Sequence, residues 1–551
     1  MEKSLNKLFE NSFKKHWDYS ALSNYNGENL QYKDVARRIE KLHIVFEECG
    51  LKKGDKVAIC GRNQTNWAVV YLATLAYGAV VVPILHEFKE SAVKHIVTHS
   101  ESRILFVSSH VWEGLSETEM PNLEAVILIS DFSISYARER HILEVRERLN
   151  ELFGKKYPKN FRPEHLHYHV DEPEELASIN YTSGTTGFSK GVMLPYRSLY
   201  SNVLFGQEVL PEVTTGSNVV SMLPMAHVYG MAFEFVFEMT VGAHVHFLTR
   251  MPSPKIITES FAAVQPKIII AVPLIIEKIY KTRLQPMLNK MSMRVLLQLP
   301  VIEQKVRNKI HDSLINVFGG NFVELIIGGA PFNLEAEQFF KKIGFPYTVG
   351  YGMTECGPII TYAPWRKNKT FSCGCAAPRM EVRIDSPDPV HIAGEIQTRG
   401  DNVMLGYYRE PETTAEVFTD DGWLKTGDMG TIDEEGFVFI KGRCKTMILG
   451  PSGQNIYPEE IESALNNMPY VAESLVIEKD GKLVALVYPN VESVAEAHLT
   501  DQQLTGIMDE NLRTLNEEQP NYAKVSKIQV FPEEFEKTPK KSIKRYLYQN
   551  N

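Results

Sequence analysis

The feature that most limits the possible folds is an uncharged run of nineteen residues, 67–85. A run of this length is close to the roughly 20 apolar residues that span a bilayer. Gly78 and Pro83 interrupt it, however, and its β-branched residues cluster near one end, at 80–82. This pattern favours a buried helix that leads into a buried strand, because a parallel sheet covered on both faces needs continuously apolar strands.

The segments around this run alternate between helical and strand patterns. Such alternation predicts a sheet with helices on its faces, both before residue 107 and again between residues 219 and 350. From 361 to 440, short strands broken by Gly, Pro and Asp predict a β-rich unit, and beyond Gly442 a helix and a hairpin predict an α+β module. The predicted helices are 32–49, 66–77, 458–466 and most of 492–518, and the predicted strands are 56–60, 103–107, 267–272, 323–329, 380–384, 394–400 and 436–442, with a hairpin at 474–489.

These patterns predict an α/β protein with two domains. The large N-terminal domain, residues 1–441, is expected to contain two α/β sheet subdomains at about 1–180 and 181–360 and a small β-barrel-like subdomain at about 361–441. A small α+β C-terminal domain is expected at 442–551. The length of 551 residues agrees with several folding units, since one unit has about 150 residues.

Composition excludes several classes of function. The 551 residues include 59 Lys and Arg against 68 Asp and Glu, which gives a net charge of −9 and argues against a nucleic-acid-binding surface along the whole chain. No run resembles a secretory signal and six cysteines are few for this length, so a reduced cytoplasmic compartment is expected. Cys373 and Cys375 have no second Cys or His pair at ligand spacing, which favours free thiols over zinc.

The sharpest chemical signal is YTSGTTGFSKG at 181–191. Its glycines let consecutive N–H groups turn toward an anion, its hydroxyls can donate to phosphate oxygens, and Lys190 adds a positive charge. It is not a Walker A loop, because Gly191 follows the lysine and the next residues indicate a strand. The candidate phosphate-binding residues are Thr182, Ser183, Gly184, Thr185, Thr186, Gly187 and Lys190.

This segment resembles the phosphate loop of the acyl-adenylate-forming enzymes, which include acyl-CoA synthetases, peptide-synthetase adenylation domains and firefly luciferases. GYGMTECG (350–357), GWLKTGDMG (422–430) and GRCKTMILGPSGQNIYPEEIE (442–462) resemble further motifs of this family, in the same order. The resemblance spans nearly the whole chain. The resemblance is closest to long-chain fatty acyl-CoA synthetases. Two segments carry it, AVPLIIEKIY (271–280) and QNIYPEEIE (454–462).

The resemblance implies a reaction in two steps. A carboxylate attacks the α-phosphorus of ATP to give acyl-AMP and pyrophosphate, and the thiol of coenzyme A then displaces AMP. Anionic charge develops in both steps, so Lys190, Thr354 and a Mg²⁺ ion held by Glu355 form a consistent catalytic set. Glu355 is therefore the implied metal ligand.

The resemblance also implies residues for the AMP part. Asp428 and Arg443 resemble the family's ribose pair, because a carboxylate can accept from both hydroxyls of a diol. Small residues after the strand at 323–329 lie where the family places backbone against adenine, with Tyr351 as the stacking partner. The implied residues are Gly328, Gly329, Ala330, Tyr351, Gly352, Asp428 and Arg443.

Three more residues occupy functional positions of the family. His227 lies where the family has a histidine beside the acyl pocket, although a core histidine would also fit this apolar stretch. Lys445 occupies the hinge about which the C-terminal domain, mobile by this resemblance, swings between the two steps; an ordinary linker lysine is the alternative. Gly450 would line the coenzyme A channel.

The C-terminus departs from the family pattern. Long-chain members read T-P-x-x-K-I-K-R there, whereas this chain reads TPKKSIKR from Thr538, so Ser542 replaces the lysine that reaches the α-phosphate. Lys541 is the preferred catalytic substitute over Lys540 and Lys544, because it is one residue away. A slowed adenylation step and a solvated basic tail are the alternatives.

The predicted function is an ATP- and Mg²⁺-dependent fatty acid–CoA ligase. The expected partners are small molecules, namely the fatty acid, ATP and coenzyme A, and no nucleic acid. Acyl chain length, a homodimer and peripheral contact with a membrane stay open. The alternatives are an acyl-AMP ligase that loads a carrier protein and a nucleotide-binding pseudoenzyme that lacks the catalytic lysine.

Overall fold

The structure is a computed structural model that describes residues 3–182, 190–250, 252–280, 300–449, 455–479, 481–538 and 543–548. The strands are β1 (Ser20–Asn24), β2 (Asn29–Gln31), β3 (Lys56–Cys60), β4 (Val80–Ile84), β5 (Ser102–Val107), β6 (Ala125–Leu128), β7 (Ile134–Ala137), β8 (Leu176–Thr182), β9 (Lys190–Pro195), β10 (Asn218–Ser221), β11 (His244–Phe247), β12 (Ile268–Ala271), β13 (Glu324–Ile327), β14 (Tyr347–Val349), β15 (Tyr351–Gly352), β16 (Ile359–Tyr362), β17 (Cys375–Ala376), β18 (Met380–Asp385), β19 (Gly394–Gly400), β20 (Gly406–Tyr407), β21 (Leu424–Ile432), β22 (Val438–Arg443), β23 (Ile448–Leu449), β24 (Asn455–Ile456), β25 (Val471–Lys479), β26 (Lys482–Pro489) and β27 (Val525–Val530).

Helices alternate with strands in much of the chain before β14 and are fewer after it. They are α1 (Leu5–Lys15), α2 (Tyr32–Glu48), α3 (Thr65–Tyr77), α4 (Glu90–His99), α5 (Ser109–Trp112), α6 (Arg140–Lys156), α7 (Tyr196–Val209), α8 (Val228–Met231), α9 (Phe237–Val241), α10 (Pro254–Val264), α11 (Pro273–Ile279), α12 (Pro300–Val317), α13 (Leu334–Lys342), α14 (Pro411–Val417), α15 (Pro458–Leu465), α16 (Val491–Glu496) and α17 (Asp501–Glu518). A π-helical stretch, Ala232–Val236, joins α8 to α9.

The uncharged run forms the predicted buried helix and parallel strand. Helix α3 ends at Gly78, whose φ of 81° is left-handed and whose added Cβ would lie 2.9 Å from the His169 ring. Strand β4 follows and is fully buried, parallel to β3. Its pairing with β8 is confined, in the described part of the chain, to Val81 and Ser178, so the missing N–H of Pro83 is tolerated.

The largest sheet has eight strands in the order β20-β9-β8-β4-β3-β5-β6-β7. Its centre is parallel, and β9, β20 and β7 are antiparallel additions. A four-stranded sheet has the order β10-β11-β1-β2, and a three-stranded parallel sheet has the order β12-β13-β14. Strands from both sides of residue 180 share the first two sheets, and the subdomain boundary at that point stays a prediction.

The later segments form smaller sheets, as the predicted β-rich unit and α+β module require. Strands β18, β19, β21 and β22 form a four-stranded antiparallel sheet. The predicted C-terminal hairpin is β25 paired with β26, and β27 adds to it in parallel. Helices α15 and α17 pack on this sheet around a separate apolar cluster that includes Leu465, Val487 and Leu515. The chain therefore has the predicted order of a large α/β part, a β-rich part and a small α+β part.

Candidate active site

The loop predicted to bind phosphate connects two paired strands. Thr182 ends β8 and Lys190 begins β9, and the two residues are opposite each other in the antiparallel register. This confirms the strand predicted after the lysine. Five of the predicted phosphate-binding residues, Ser183, Gly184, Thr185, Thr186 and Gly187, lie outside the described residues.

Lys190 lies over an aromatic ring that the sequence analysis did not single out. Its Nζ is 5.0 Å from the ring centroid of Tyr407, within the range of a cation–π interaction. Tyr407 is brought there by strand pairing, because β20 runs antiparallel to β9 with Tyr407 opposite Val192. No local motif links residues so far apart in sequence.

Glu355 contacts the hydroxyl of the same residue, Tyr407. The tyrosine hydroxyl donates to Glu355 Oε1 at 2.9 Å, and the Glu355 carbonyl accepts from the N–H of Met404 at 2.8 Å. Thr354 and Glu355 belong to a short 3₁₀ turn after β15, and both are half-buried. The structure thus brings Lys190 and Glu355 to the same tyrosine.

The predicted ribose pair is formed by strand register. Asp428 on β21 is opposite Arg443 on β22, and Arg443 Nε lies 3.1 Å from Asp428 Oδ1. The Tyr351 hydroxyl donates to Asp428 Oδ2 at 2.7 Å. Burial raises the pKa of the Asp428 carboxyl, while Arg443 and the Tyr351 hydroxyl act in the opposite direction. The Arg443 side chain is 70% exposed, so one member of the pair is accessible to a ligand.

The predicted adenine segment follows the buried strand β13. Gly328 is buried beside Tyr229, and a Cβ on Gly328 would lie 3.1 Å from the tyrosine Cζ. Tyr229 is fixed there because its hydroxyl donates to the Ile326 carbonyl at 3.1 Å. Gly329 has a φ of +86° and is exposed, as is Ala330. Close packing therefore explains Gly328, and left-handed backbone explains Gly329.

Tyr351 and Gly352 link the residues expected to bind the ribose with those expected to bind the phosphates. They form β15, and Tyr351 is only four residues before Glu355. A Cβ on Gly352 would lie 2.2 Å from the Pro358 carbonyl oxygen, so this strand requires glycine. The stacking role of Tyr351 stays a prediction; Tyr351 is buried, and its hydroxyl is used by Asp428.

His227 is the N-cap residue that precedes helix α8, and it is half-buried. The segment before it is held by Glu234, whose Oε2 accepts the N–H groups of Met222 at 3.1 Å and Leu223 at 3.0 Å. Burial raises the pKa of Glu234 well above its usual range. Glu234 is therefore used to fix backbone, and the role of His227 stays a prediction.

The candidate hinge and the C-terminal segment are only partly described. Lys445 is exposed in the turn after β22, whereas Gly450, Lys540, Lys541 and Ser542 lie outside the described residues. Lys544 forms an ion pair with Glu536 at 2.9 Å. Arg545 contacts both Glu462 and Glu459 on α15, which anchors the C-terminal segment to this helix.

Two further expectations concern metals and membranes. All six cysteines are free, and Cys373 is buried. Across the described ranges, no group of three or more His, Cys, Asp and Glu side chains is arranged to hold a metal ion. In the same part of the chain, no helix combines the length and the apolar character that a membrane crossing needs.

Similar solved structures share this fold. A crystal structure of an ATP-bound chimera of RpMatB and BxBclM matches with a TM-score of 0.79 and 23% identity, over 100% of this chain and 99% of that chain. The anthranilate CoA ligase AuaEII in complex with anthranoyl-AMP matches with a TM-score of 0.78 and 18% identity, over 99% and 96% of the two chains. The fold is therefore the two-domain adenylate-forming fold.

Curated relatives and family models agree with this fold. The long-chain-fatty-acid–CoA ligase of Bacillus subtilis is 28% identical over 86% of this chain and 82% of its own length. The long-chain-fatty-acid–CoA ligase FadD15 of Mycobacterium bovis is 27% identical over 81% and 74%. The model of the AMP-binding enzyme family matches residues 9–408, and that of the AMP-binding enzyme C-terminal domain matches residues 445–550. The chain therefore belongs to the AMP-binding enzyme family of adenylate-forming ligases.

Proposed function

We propose that the protein is an AMP-forming acid–thiol ligase that joins a fatty acid to coenzyme A. The observation that carries this proposal is the convergence of two sets of side chains on the segment 351–355. Lys190 and Glu355 meet at Tyr407, while Asp428 and Arg443 meet at Tyr351. A cation and a carboxylate beside a glycine-rich loop suit a polyphosphate, and a carboxylate–guanidinium pair suits a sugar diol.

In the first step, a carboxylate oxygen of the acid attacks the α-phosphorus and the bond to the β-phosphate breaks, releasing pyrophosphate. Lys190 offsets the negative charge that develops on the phosphates, and Thr354 supplies a hydroxyl donor. Asp428 and Arg443 hold the ribose, which fixes the α-phosphorus relative to the acid. Charge stabilisation and positioning are thus the proposed contributions of this chain.

The residues present fit a magnesium ion. Mg²⁺ is usually held by one or two carboxylates together with substrate phosphates, and Glu355 offers a half-buried carboxylate oriented by Tyr407. When bound, the ion would neutralise phosphate charge during the first step. The part of Glu355 is to hold the ion next to the phosphates.

In the second step, the thiol of coenzyme A attacks the acyl carbonyl and AMP leaves. We assign Lys445 to the hinge that exchanges the groups facing the site, and Gly450 to the channel that admits the thiol. Lys445 is exposed in a turn and is the first residue that the C-terminal family model matches, which supports the hinge assignment.

A fatty acid is the proposed acid because of the segment after His227. An amino acid would need an anionic partner for its ammonium group, and Glu234 is the acidic residue within 224–235. Its Oε2 accepts two backbone N–H groups and its raised pKa favours the neutral form, so it supplies little charge. Similarity to long-chain-fatty-acid–CoA ligases of bacteria supports the same substrate class.

A panel of fatty acids from C2 to C20, together with amino and aryl acids, tests the proposal. Each acid is incubated with ATP, Mg²⁺ and coenzyme A, and pyrophosphate, AMP and thioester are measured. We expect all three products in equal amounts with fatty acids, and none with amino or aryl acids.

Parallel reactions separate the alternative functions. If a purified holo carrier protein is acylated and coenzyme A is not, the protein is an acyl-AMP ligase for that carrier. If ATP binds normally and no acid gives pyrophosphate, the protein is a nucleotide-binding pseudoenzyme and the proposed function is wrong.

A further inference from the structure

The Tyr407 backbone and the residues before it are held by several contacts. Its N–H donates to the Thr414 hydroxyl at 2.9 Å, and the preceding Gly406 has a φ of +136° with no room for a Cβ against Thr414. The segment before it is tied to Glu355 through Met404 N–H, and to β9 through Leu405 N–H, which donates to the Met193 carbonyl at 2.9 Å. The ring is therefore a fixed part of this site.

The two ends of the Tyr407 side chain touch two different candidate residues. The hydroxyl donates to Glu355 Oε1 at 2.9 Å, and the ring centroid lies 5.0 Å from Lys190 Nζ. Tyr407 is 7% exposed and its partners Glu355 and Lys190 are half-buried, so both contacts are partly shielded from water. Hydrogen bonds and cation–π contacts are both stronger when water is excluded.

We propose that Tyr407 is a positioning residue for the polyphosphate and its divalent cation. Its hydroxyl fixes one oxygen of Glu355, so that the carboxylate presents the other oxygen to the cation without further ordering. Its ring face keeps the Lys190 ammonium group in place beside Tyr407. The inference rests on the proposed function, because it gives Glu355 and Lys190 their roles in that reaction.

The two contacts can be removed separately. Tyr407→Phe removes the hydroxyl and keeps the ring, so only the Glu355 contact is lost. Tyr407→Leu removes both. Residues that orient a metal ligand typically contribute about 10- to 100-fold to metal affinity, and a cation–π contact contributes less.

The next residue provides a matched control. The Tyr408 hydroxyl also donates to a glutamate, Glu101 Oε2 at 3.2 Å, and Lys56 Nζ lies 5.6 Å from its ring centroid. Tyr408→Phe therefore removes a similar tyrosine–glutamate hydrogen bond on the same segment. A general effect of losing such a bond would appear in both phenylalanine variants.

Binding measurements provide the test independently of turnover. Mn²⁺ affinity of the protein–ATP complex is measured by electron paramagnetic resonance, and ATP affinity without metal is measured by calorimetry in EDTA. For Tyr407→Phe we expect about 10-fold weaker Mn²⁺ binding, unchanged ATP affinity in EDTA, and an about 10-fold higher Mg²⁺ requirement for pyrophosphate release. For Tyr407→Leu we expect ATP affinity in EDTA to fall as well, by about 3-fold.

The outcomes separate this inference from the proposed function. Wild-type Mn²⁺ affinity in Tyr407→Phe, or an equal loss in Tyr408→Phe, would overturn the role of the hydroxyl. Wild-type ATP affinity in Tyr407→Leu would overturn the role of the ring. If no acid gives pyrophosphate while the binding shifts occur as expected, the proposed reaction fails and the positioning role of Tyr407 stands.

Discussion

At the scale of single residues, the charged groups of the site contact buried tyrosines. Asp428 is 7% exposed and is held by Tyr351 on one oxygen and Arg443 on the other. Glu355 and Lys190 both contact Tyr407, through its hydroxyl and its ring. Each charged group is thereby oriented before a ligand arrives, which reduces the ordering cost of binding.

Asp428→Asn tests the ribose pair. The amide cannot accept hydrogen bonds at both atoms and carries no charge to pair with Arg443. Because a hydrogen bond to a charged group contributes about 1.5–3 kcal/mol, we expect ATP affinity to fall by about 10- to 100-fold in calorimetry. Asp421, which pairs with Arg383 at the surface at 2.6 Å, gives the control variant Asp421→Asn. Equal ATP affinity in the two variants would contradict the assignment.

At the scale of elements, the segment from α8 to α9 carries two buried carboxyl groups. Glu234 lies in the π-helical stretch and binds backbone N–H groups, whereas neither oxygen of Glu238 has a hydrogen-bond partner among the described residues. Burial raises the pKa of Glu238 to about 8. Burial therefore favours the protonated form of this carboxyl group in the folded protein.

Glu238 predicts a pH dependence of stability. Between the usual glutamate pKa of 4.5 and about 8, the unfolded chain ionises this group while the folded chain keeps its proton, so stability falls as pH rises. One such group contributes up to about 1.4 kcal/mol per pH unit. We expect Glu238→Gln to flatten the decline in urea midpoints between pH 5.5 and 7.5.

The exposed Glu144, on α6, supplies the control for this experiment. Glu144→Gln should leave the pH dependence of the urea midpoint as it is in the wild type. An unchanged decline in Glu238→Gln would show that Glu238 ionises normally in the folded protein.

At the scale of the whole molecule, polar contacts link the C-terminal domain to the rest of the described chain. Lys441 on β22 pairs with Glu460 on α15 at 3.1 Å, and Asn333 bonds to Asn467. Within the domain, Thr446 donates to Glu459 at 2.6 Å, and Arg545 lies 3.5 Å from the same carboxylate. The candidate hinge and the C-terminal segment are thus joined through one glutamate.

The altered C-terminal motif predicts different effects on the two half-reactions. Lys541→Ala should slow adenylation by about 100-fold, because a charge that acts in the transition state is removed. Thioester formation from supplied acyl-AMP should be unchanged. Pyrophosphate release and thioester formation are measured separately for each variant.

Ser542→Lys is the companion variant, and it should be neutral or activating because it restores the family residue. Wild-type adenylation in Lys541→Ala would show that another group supplies the charge. Lys544 is the matched control, since its ammonium group already pairs with Glu536.

Strong local patterns predicted most of the architecture. Helix α2 was expected at 32–49 and spans Tyr32–Glu48, and strand β19 has the expected bounds. The residues expected to bind the ribose and the phosphates could be proposed from the sequence because each lies in a short motif. Tyr407 could not, because its partners lie 217 and 52 residues away, at positions 190 and 355.

The sequence by itself determined the order of elements, the family and the types of side chain available for the site. These depend on local periodicity, glycine placement and motifs, which are readable within some twenty residues. Only the tertiary structure decided which of these side chains meet, because the pairing of β9 with β20 and of β21 with β22 sets those contacts. Strand register depends on packing across the whole sheet, and no short segment encodes it.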